Sequence, residues 1–122
     1  MNITIEKTNT GYSAYANDLP VFTTAQTIPV LYENLIEAFN LHYQDSNFFV
    51  TNDNLRLHLD LQQFFQYYKV LNAKFLAQRI GMNATLLSQY VRGIKKPSAK
   101  QTHRIIEGIQ TIGKELADIN LV

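Results

Sequence analysis

The 122-residue sequence has no cysteine, which excludes a disulfide scaffold and a thiolate metal site and fits a reducing compartment. It also lacks any apolar run near the roughly 18 to 20 residues that span a bilayer. Its first residues, Met1-Asn2-Ile3-Thr4-Ile5-Glu6-Lys7, have neither the basic start nor the long apolar stretch of a signal peptide. There is no internal repeat, no low-complexity segment and no long Gly/Ser linker. A soluble cytoplasmic protein is expected, with one compact domain or two very small ones. With 46% hydrophobic residues the chain has enough apolar material for a core.

The formal net charge is only +1, and the total conceals its distribution. From Met1 to Tyr68 two basic residues, Lys7 and Arg56, face seven acidic ones, for a net −5. From Lys69 to Val122 nine basic residues face Glu107, Glu115 and Asp118, for a net +6. Between Lys69 and Ile106 there are eight basic residues and no acid. Such asymmetry points to a polyanionic partner for the second half.

Hydrophobic periodicity divides the chain at the same place. Ile3 and Ile5 alternate with polar residues, Asn9-Thr10-Gly11 gives a turn, and Tyr12, Ala14 and Ala16 resume the two-residue period, predicting a hairpin. Val21 to Ala25, after Pro20, suits a third strand. Thr27 is a fitting cap for a helix running to about Tyr43, with Pro29 in its first turn and Ile28, Leu31, Leu35, Ala38 and Phe39 on one face. Leu55, Leu57, Leu59 and Leu61 alternate with Arg56, His58 and Asp60, a strong strand signal. The fold class is therefore expected to be α+β: a βββαβ domain over residues 1–61, then an all-α domain over 62–122.

After Leu61 the period becomes helical, with Phe64, Phe65, Tyr68 and Leu71 on one helix and two short helices after it. Leu76-Ala77-Gln78-Arg79-Ile80-Gly81 is followed by Met82-Asn83 and by Ala84-Thr85-Leu86-Leu87-Ser88-Gln89-Tyr90-Val91-Arg92-Gly93, then Lys95-Lys96-Pro97-Ser98. Ala77 is small where two helices must cross closely, Gly81 suits a positive φ at a helix end, and Asn83 is a strong N-cap. Leu87 with Tyr90 or Val91 faces inward, leaving Ala84, Thr85, Ser88, Gln89 and Arg92 outward. This stretch resembles the Cro/cI-type helix-turn-helix family of repressors, from about Leu61 to Ile112. The resemblance implies base contacts from Ala84, Thr85, Ser88 and Gln89, and phosphate contacts from Asn83, Arg92, Lys95 and Lys96. The chemistry agrees for Gln89, whose amide both donates to and accepts from adenine. Ala84 and Phe75 depart from the family pattern, which favours longer or more polar residues there.

Tyr12-Ser13-Ala14-Tyr15-Ala16-Asn17-Asp18-Leu19-Pro20, followed by Thr23 to Thr27 and a helix bearing Glu37-Ala38, resembles the HicB antitoxin family. That resemblance implies a truncated ribonuclease-H-like N-terminal domain that masks a small basic RNA-cleaving toxin of the HicA type. It also implies a C-terminal domain that binds operator double-stranded DNA and represses the shared operon. The alternative is a stand-alone repressor whose first domain dimerises or senses a ligand.

Catalysis is not expected. Metal-dependent nucleases need converging carboxylates, whereas Asp18 lies in a turn, Asp60 on the polar face of its strand, and Glu33 and Glu37 on one helix face without a strand partner. Ser88 has no evident base. His42, His58 and His103 have no metal-ligand spacing, and no cofactor is expected. The last helix shows Ile105, Ile109, Ile112, Leu116 and Ile119 at spacings of four, three, four and three. Its first half is expected to close the core and its second half to pair with another subunit, in a homodimer or higher even-numbered oligomer.

Overall fold

A computed structural model describes residues 1–121. The protein is α+β, with one four-stranded sheet and five α-helices among the described residues. It divides into two compact units, Met1–Tyr67 and Tyr68–Val122.

In the first unit, β1 (Asn2–Thr8), β2 (Gly11–Ala16) and β3 (Phe22–Ala25) precede α1 (Ile28–His42), β4 (Arg56–Leu59) and α2 (Leu61–Tyr67). The sheet order is β3-β2-β1-β4. β1 pairs antiparallel with β2, with Ile3 opposite Ala16 and Ile5 opposite Ala14. β4 returns parallel to β1, with Leu57 opposite Ile3 and Leu59 opposite Ile5. A parallel return needs a long crossover, and the chain from α1 to β4 supplies it. This register puts Ile3, Ile5 and Ala14 in one buried cluster with Leu31, Leu35 and Phe39 of α1, while Leu57 and Leu59 pack against it half-buried. Each isoleucine, leucine and phenylalanine side chain among them contributes roughly 1.5–3 kcal/mol when fully buried. Thr27 caps α1, its Oγ1 accepting from the Val30 N–H at 3.4 Å, and Pro29 sits in the first turn.

Leu61 does not continue the β4 strand, although it keeps the leucine alternation. Asp60 ends the strand: its N–H donates to the Ile5 carbonyl at 2.9 Å, while its Oδ1 accepts from the Gln63 N–H at 3.1 Å. It therefore acts as the last ladder residue and caps α2 at once. α2 ends at Tyr67, so Leu71 falls outside it. Six residues beyond the expected boundary at Leu61 belong to the first unit. Gln63 accepts from the Lys7 N–H at 2.8 Å and donates to the Lys7 carbonyl at 2.7 Å. β4 pairs only as far as Ile5, so this amide takes the place of a strand. Asn40 does the same for the fully buried Val50, accepting from its N–H at 2.8 Å and donating to its carbonyl at 3.3 Å.

The second unit contains α3 (Ala73–Ile80), α4 (Ala84–Val91) and α5 (Ala99–Ala117). Asn72, Asn83 and Ser98 cap them, each side chain accepting a hydrogen bond from a backbone N–H three residues on. Leu76, Ala77, Met82, Leu87, Tyr90 and Ile105 are buried.

Replacing Gln63 by Leu strands a backbone N–H and C=O that nothing else pairs. The first unit should lose about 1–3 kcal/mol, measured as a lower urea midpoint. An unchanged midpoint would show that water serves Lys7 equally well.

Candidate nucleic-acid interface

The turn between α3 and α4 is three residues, Gly81-Met82-Asn83. Gly81 adopts φ 68° and ψ 32°, the left-handed conformation that an L side chain enters only with strain. The Met82 N–H then donates back to the Ala77 carbonyl at 2.9 Å, closing α3 in a Schellman-type cap. Met82 is buried beside this closure, and Ala77 is fully buried. One residue later the Asn83 side chain accepts from the Leu86 N–H at 3.0 Å and starts α4. The chain therefore stops one helix and starts the next with no slack between them.

Arg104 of α5 secures this turn. Its Nη2 donates to the Ile80 carbonyl at 2.7 Å and the Gly81 carbonyl at 2.9 Å. A guanidinium there satisfies orphan carbonyls and complements the negative end of the α3 dipole. The charge count alone groups Arg104 with residues facing a polyanion, but its contacts are intramolecular. Arg79 is likewise engaged, paired with Glu115 of α5. Gly108 lets α3 and α5 approach: a Cβ there would lie 2.3 Å from Cγ2 of Ile80. A shallow groove of about 320 Å³ follows this seam, lined by Arg79, Ile80, Arg104, Glu107, Gly108 and Thr111, and both of its arginines are already engaged. A basic residue placed to reach the end of an earlier helix is the signal for such a cap, but sequence alone does not supply the α3–α5 crossing.

α4 buries one face and exposes the other. Leu87 is fully buried and Tyr90 nearly so, while Val91 is half-buried. Ala84 and Thr85 in the first turn are exposed, Ser88 and Gln89 in the second are half-buried, and Arg92 at the C-cap is exposed. At 100° per residue Ala84, Thr85, Ser88, Gln89 and Arg92 share one side. Asn83 uses its side-chain oxygen in the cap, which leaves its amide nitrogen as the donor for an outside acceptor. The Gln89 carbonyl accepts from the N–H groups of Ile94 at 2.9 Å and Lys95 at 3.3 Å. Those bonds, with Gly93 at φ 75°, fold the segment bearing Lys95 and Lys96 back against the end of α4. Lys95, Lys96 and Lys100 are exposed and form no ion pair among the described residues. Lys100, in the first turn of α5, is the one addition to the expected set. Eight of eight expected positions thus lie on α4 or its flanking segments, all of them exposed or half-buried.

Among the described residues no three His, Asp or Glu side chains gather as a metal site, and no helix is long and apolar enough to cross a membrane. Comparison with protein-family models, with curated proteins and with solved structures gave no match for this chain.

Gly81→Ala should destabilise the second unit by about 1–2 kcal/mol, and Arg104→Ala by about 1 kcal/mol. Thermal unfolding followed by circular dichroism measures both. Neutral outcomes would mean that the turn is held by core packing alone.

Proposed function

We propose that the protein is a repressor that binds operator double-stranded DNA by placing the first turn of α4 in the major groove. The observation that carries this reading is the one outward face of α4. Small and polar side chains occupy it where a groove would meet it, and unpaired lysines flank it. A helix so exposed has no reason of packing to keep Ala84, Thr85, Ser88 and Gln89 together on one side. A duplex supplies the reason: base edges for Thr85, Ser88 and Gln89, close approach at Ala84, and phosphates for Asn83, Arg92, Lys95 and Lys96. Lys95, Lys96 and Lys100 also supply the counterion-releasing term on which affinity for a duplex rests.

For the first unit the proposed role is that of a type II antitoxin, the part of a HicB-like chain that binds and neutralises a small basic RNA-cleaving toxin. The succession of three strands, a helix and a further strand is compatible with a truncated ribonuclease-H-like plan, and charge supports the partner. Glu33 and Glu37 lie one helical turn apart on the exposed face of α1 with no base beside them on that helix, an arrangement unfavourable for an isolated helix. Asp18, Asp45 and Asp53 are exposed as well. Lys7 does not offset them: its Nζ donates to the Thr8 and Gly11 carbonyls and lies over the Tyr12 and Tyr67 rings. A basic protein would meet this surface with complementary charge. A non-enzymatic role is proposed, since Asp60 is committed to the α2 cap and Glu33 and Glu37 lie on the side of α1 away from its buried residues.

Gln89→Ala should cost about 1–3 kcal/mol in binding to the protein's own promoter DNA and relax sequence preference. Lys96→Ala should weaken binding to all duplexes alike and reduce the slope of log affinity against log salt by about one. Fluorescence anisotropy titrations at several salt concentrations measure both; wild-type protein with no preference for its promoter would overturn the DNA reading. For the first unit, the test is co-expression with a short basic protein encoded next to it. Rescue of growth, lost when Glu33 and Glu37 are both changed to Lys, supports the antitoxin role. DNA binding without any rescue leaves the stand-alone repressor as the reading.

A further inference from the structure

We infer that the duplex this chain selects is read through adenine and thymine, with guanine left unread by α4. This rests on the DNA role proposed above and names the class of sequence that the outward face of α4 can recognise. No charged residue stands between Arg79 and Arg92, in the middle of the most basic part of the chain, and that stretch holds the turn and all of α4. Guanine presents two acceptors in the major groove, N7 and O6, and arginine or lysine is the side chain that satisfies both. Ala84, Thr85, Ser88 and Gln89 include neither. Arg92 is the C-cap, roughly 12 Å along the axis from Ala84 at 1.5 Å per residue, whereas the N-terminal residues of such a helix are the ones that meet base edges.

The same face keeps hydrogen-bonding capacity that comparable side chains have already used. Thr111 of α5 donates its hydroxyl to the Glu107 carbonyl at 3.0 Å, and Asn72, Asn83 and Ser98 give their side-chain oxygens to helix caps. Among the described residues the side chains of Thr85, Ser88 and Gln89 have no such partner, although Ser88 and Gln89 are half-buried. The Gln89 carboxamide therefore keeps both its donor and its acceptor for a group outside the chain.

Base chemistry then decides between the pairs. Adenine offers an acceptor at N7 and a donor at its N6 amino group, which match the two halves of an amide. Guanine sets O6 against the amide oxygen, acceptor against acceptor, and leaves that oxygen unpaired. Ala84 and Thr85 expose methyl groups in the first turn, and the apolar group that the major groove offers them is the C5 methyl of thymine. Ser88 has no preference, because a hydroxyl both donates and accepts. Three of these side chains thus favour A·T pairs and none favours G·C. Affinity and sequence reading are divided between different residues: the exposed Lys95, Lys96 and Lys100 supply the salt-dependent attraction, and the uncharged face of α4 supplies the choice of bases.

Selection of the full chain against a random duplex library should enrich a core of A·T pairs. In anisotropy titrations, exchanging a contacted A·T pair for G·C should weaken binding between about fivefold and 150-fold. Deoxyuridine in place of thymine removes only the methyl and should weaken wild-type binding about fourfold per contacted methyl; Thr85→Ser should be insensitive at the thymine that Thr85 meets. 7-Deazaadenine lacks N7 yet pairs normally, and at one position it should weaken wild type at least about fivefold while leaving Gln89→Ala unchanged. Both analogues alter the DNA alone, so wild-type protein carries the result even where a variant folds poorly. A core of G·C pairs, or an A·T core indifferent to both analogues, would overturn the A·T reading and leave the DNA role standing. Enrichment of no sequence at all would overturn both.

Discussion

The second unit depends on one backbone constraint, the left-handed turn at Gly81. Three consequences follow from that single residue. It reverses the chain within three residues, it brings the Met82 N–H back onto the Ala77 carbonyl, and it turns the Ile80 and Gly81 carbonyls toward α5. Arg104 then meets both carbonyls, so the turn is tied to the long helix that closes the core. The direction of α4 is thus fixed at its start by covalent geometry and at its base by Leu87 and Tyr90. A side chain that reads base edges must be held to within about 0.5 Å, and a helix free to rock about its first residue could not hold it.

The first unit solves a different problem. Its sheet is small, and two residues, Lys7 at the end of β1 and Val50 in the segment before β4, have no strand to pair these backbone groups. Amide side chains, from Gln63 and Asn40, fill both places, each accepting from a backbone N–H and donating to the same residue's carbonyl. An amide sets a donating NH₂ beside an accepting oxygen, so a single side chain can serve both the N–H and the C=O of one residue as a strand would. A carboxylate would lack the donor, and an apolar residue of similar size would leave both backbone groups unpaired, at a total cost of about 1–3 kcal/mol where they are only partly buried.

These details mark where the sequence was legible. Strands β1 to β4 and the cap at Thr27 follow from a two-residue alternation and from the chemistry of threonine, both of which are local. The α3–α4 unit follows from Ala77, Gly81 and Asn83, whose roles depend on residues within six positions. The misread places are those where a non-local contact prevailed over a local pattern. The leucine alternation runs through Leu61, but Asp60 serves both the ladder and a helix cap, and the cap turns Leu61 into α2. The boundary moves from Leu61 to Tyr67 because Gln63 bonds Lys7, fifty-six positions away. Arg79 and Arg104 count toward the basic character of the second half, yet their partners lie on the α3–α5 seam, which no periodicity encodes.

Charge therefore has to be located before it is interpreted. The eight basic residues between Lys69 and Ile106 read as one polyanion-facing set in sequence, but Arg79 is paired with Glu115 and Arg104 is engaged by the Ile80 and Gly81 carbonyls. Exposed at the C-terminal end of α4 and after it are Arg92, Lys95 and Lys96, with Lys100 in the first turn of α5. The same reasoning applies to the first unit, where the half-buried Lys7 is held by carbonyls and aromatic rings, and the exposed charges are Asp18, Glu33, Glu37, Asp45 and Asp53 against Arg56. One chain thus presents a cationic surface and an anionic surface in separate compact units. Since both surfaces are built of exposed charges, any ligand that either one holds by charge should be held less tightly as ionic strength rises.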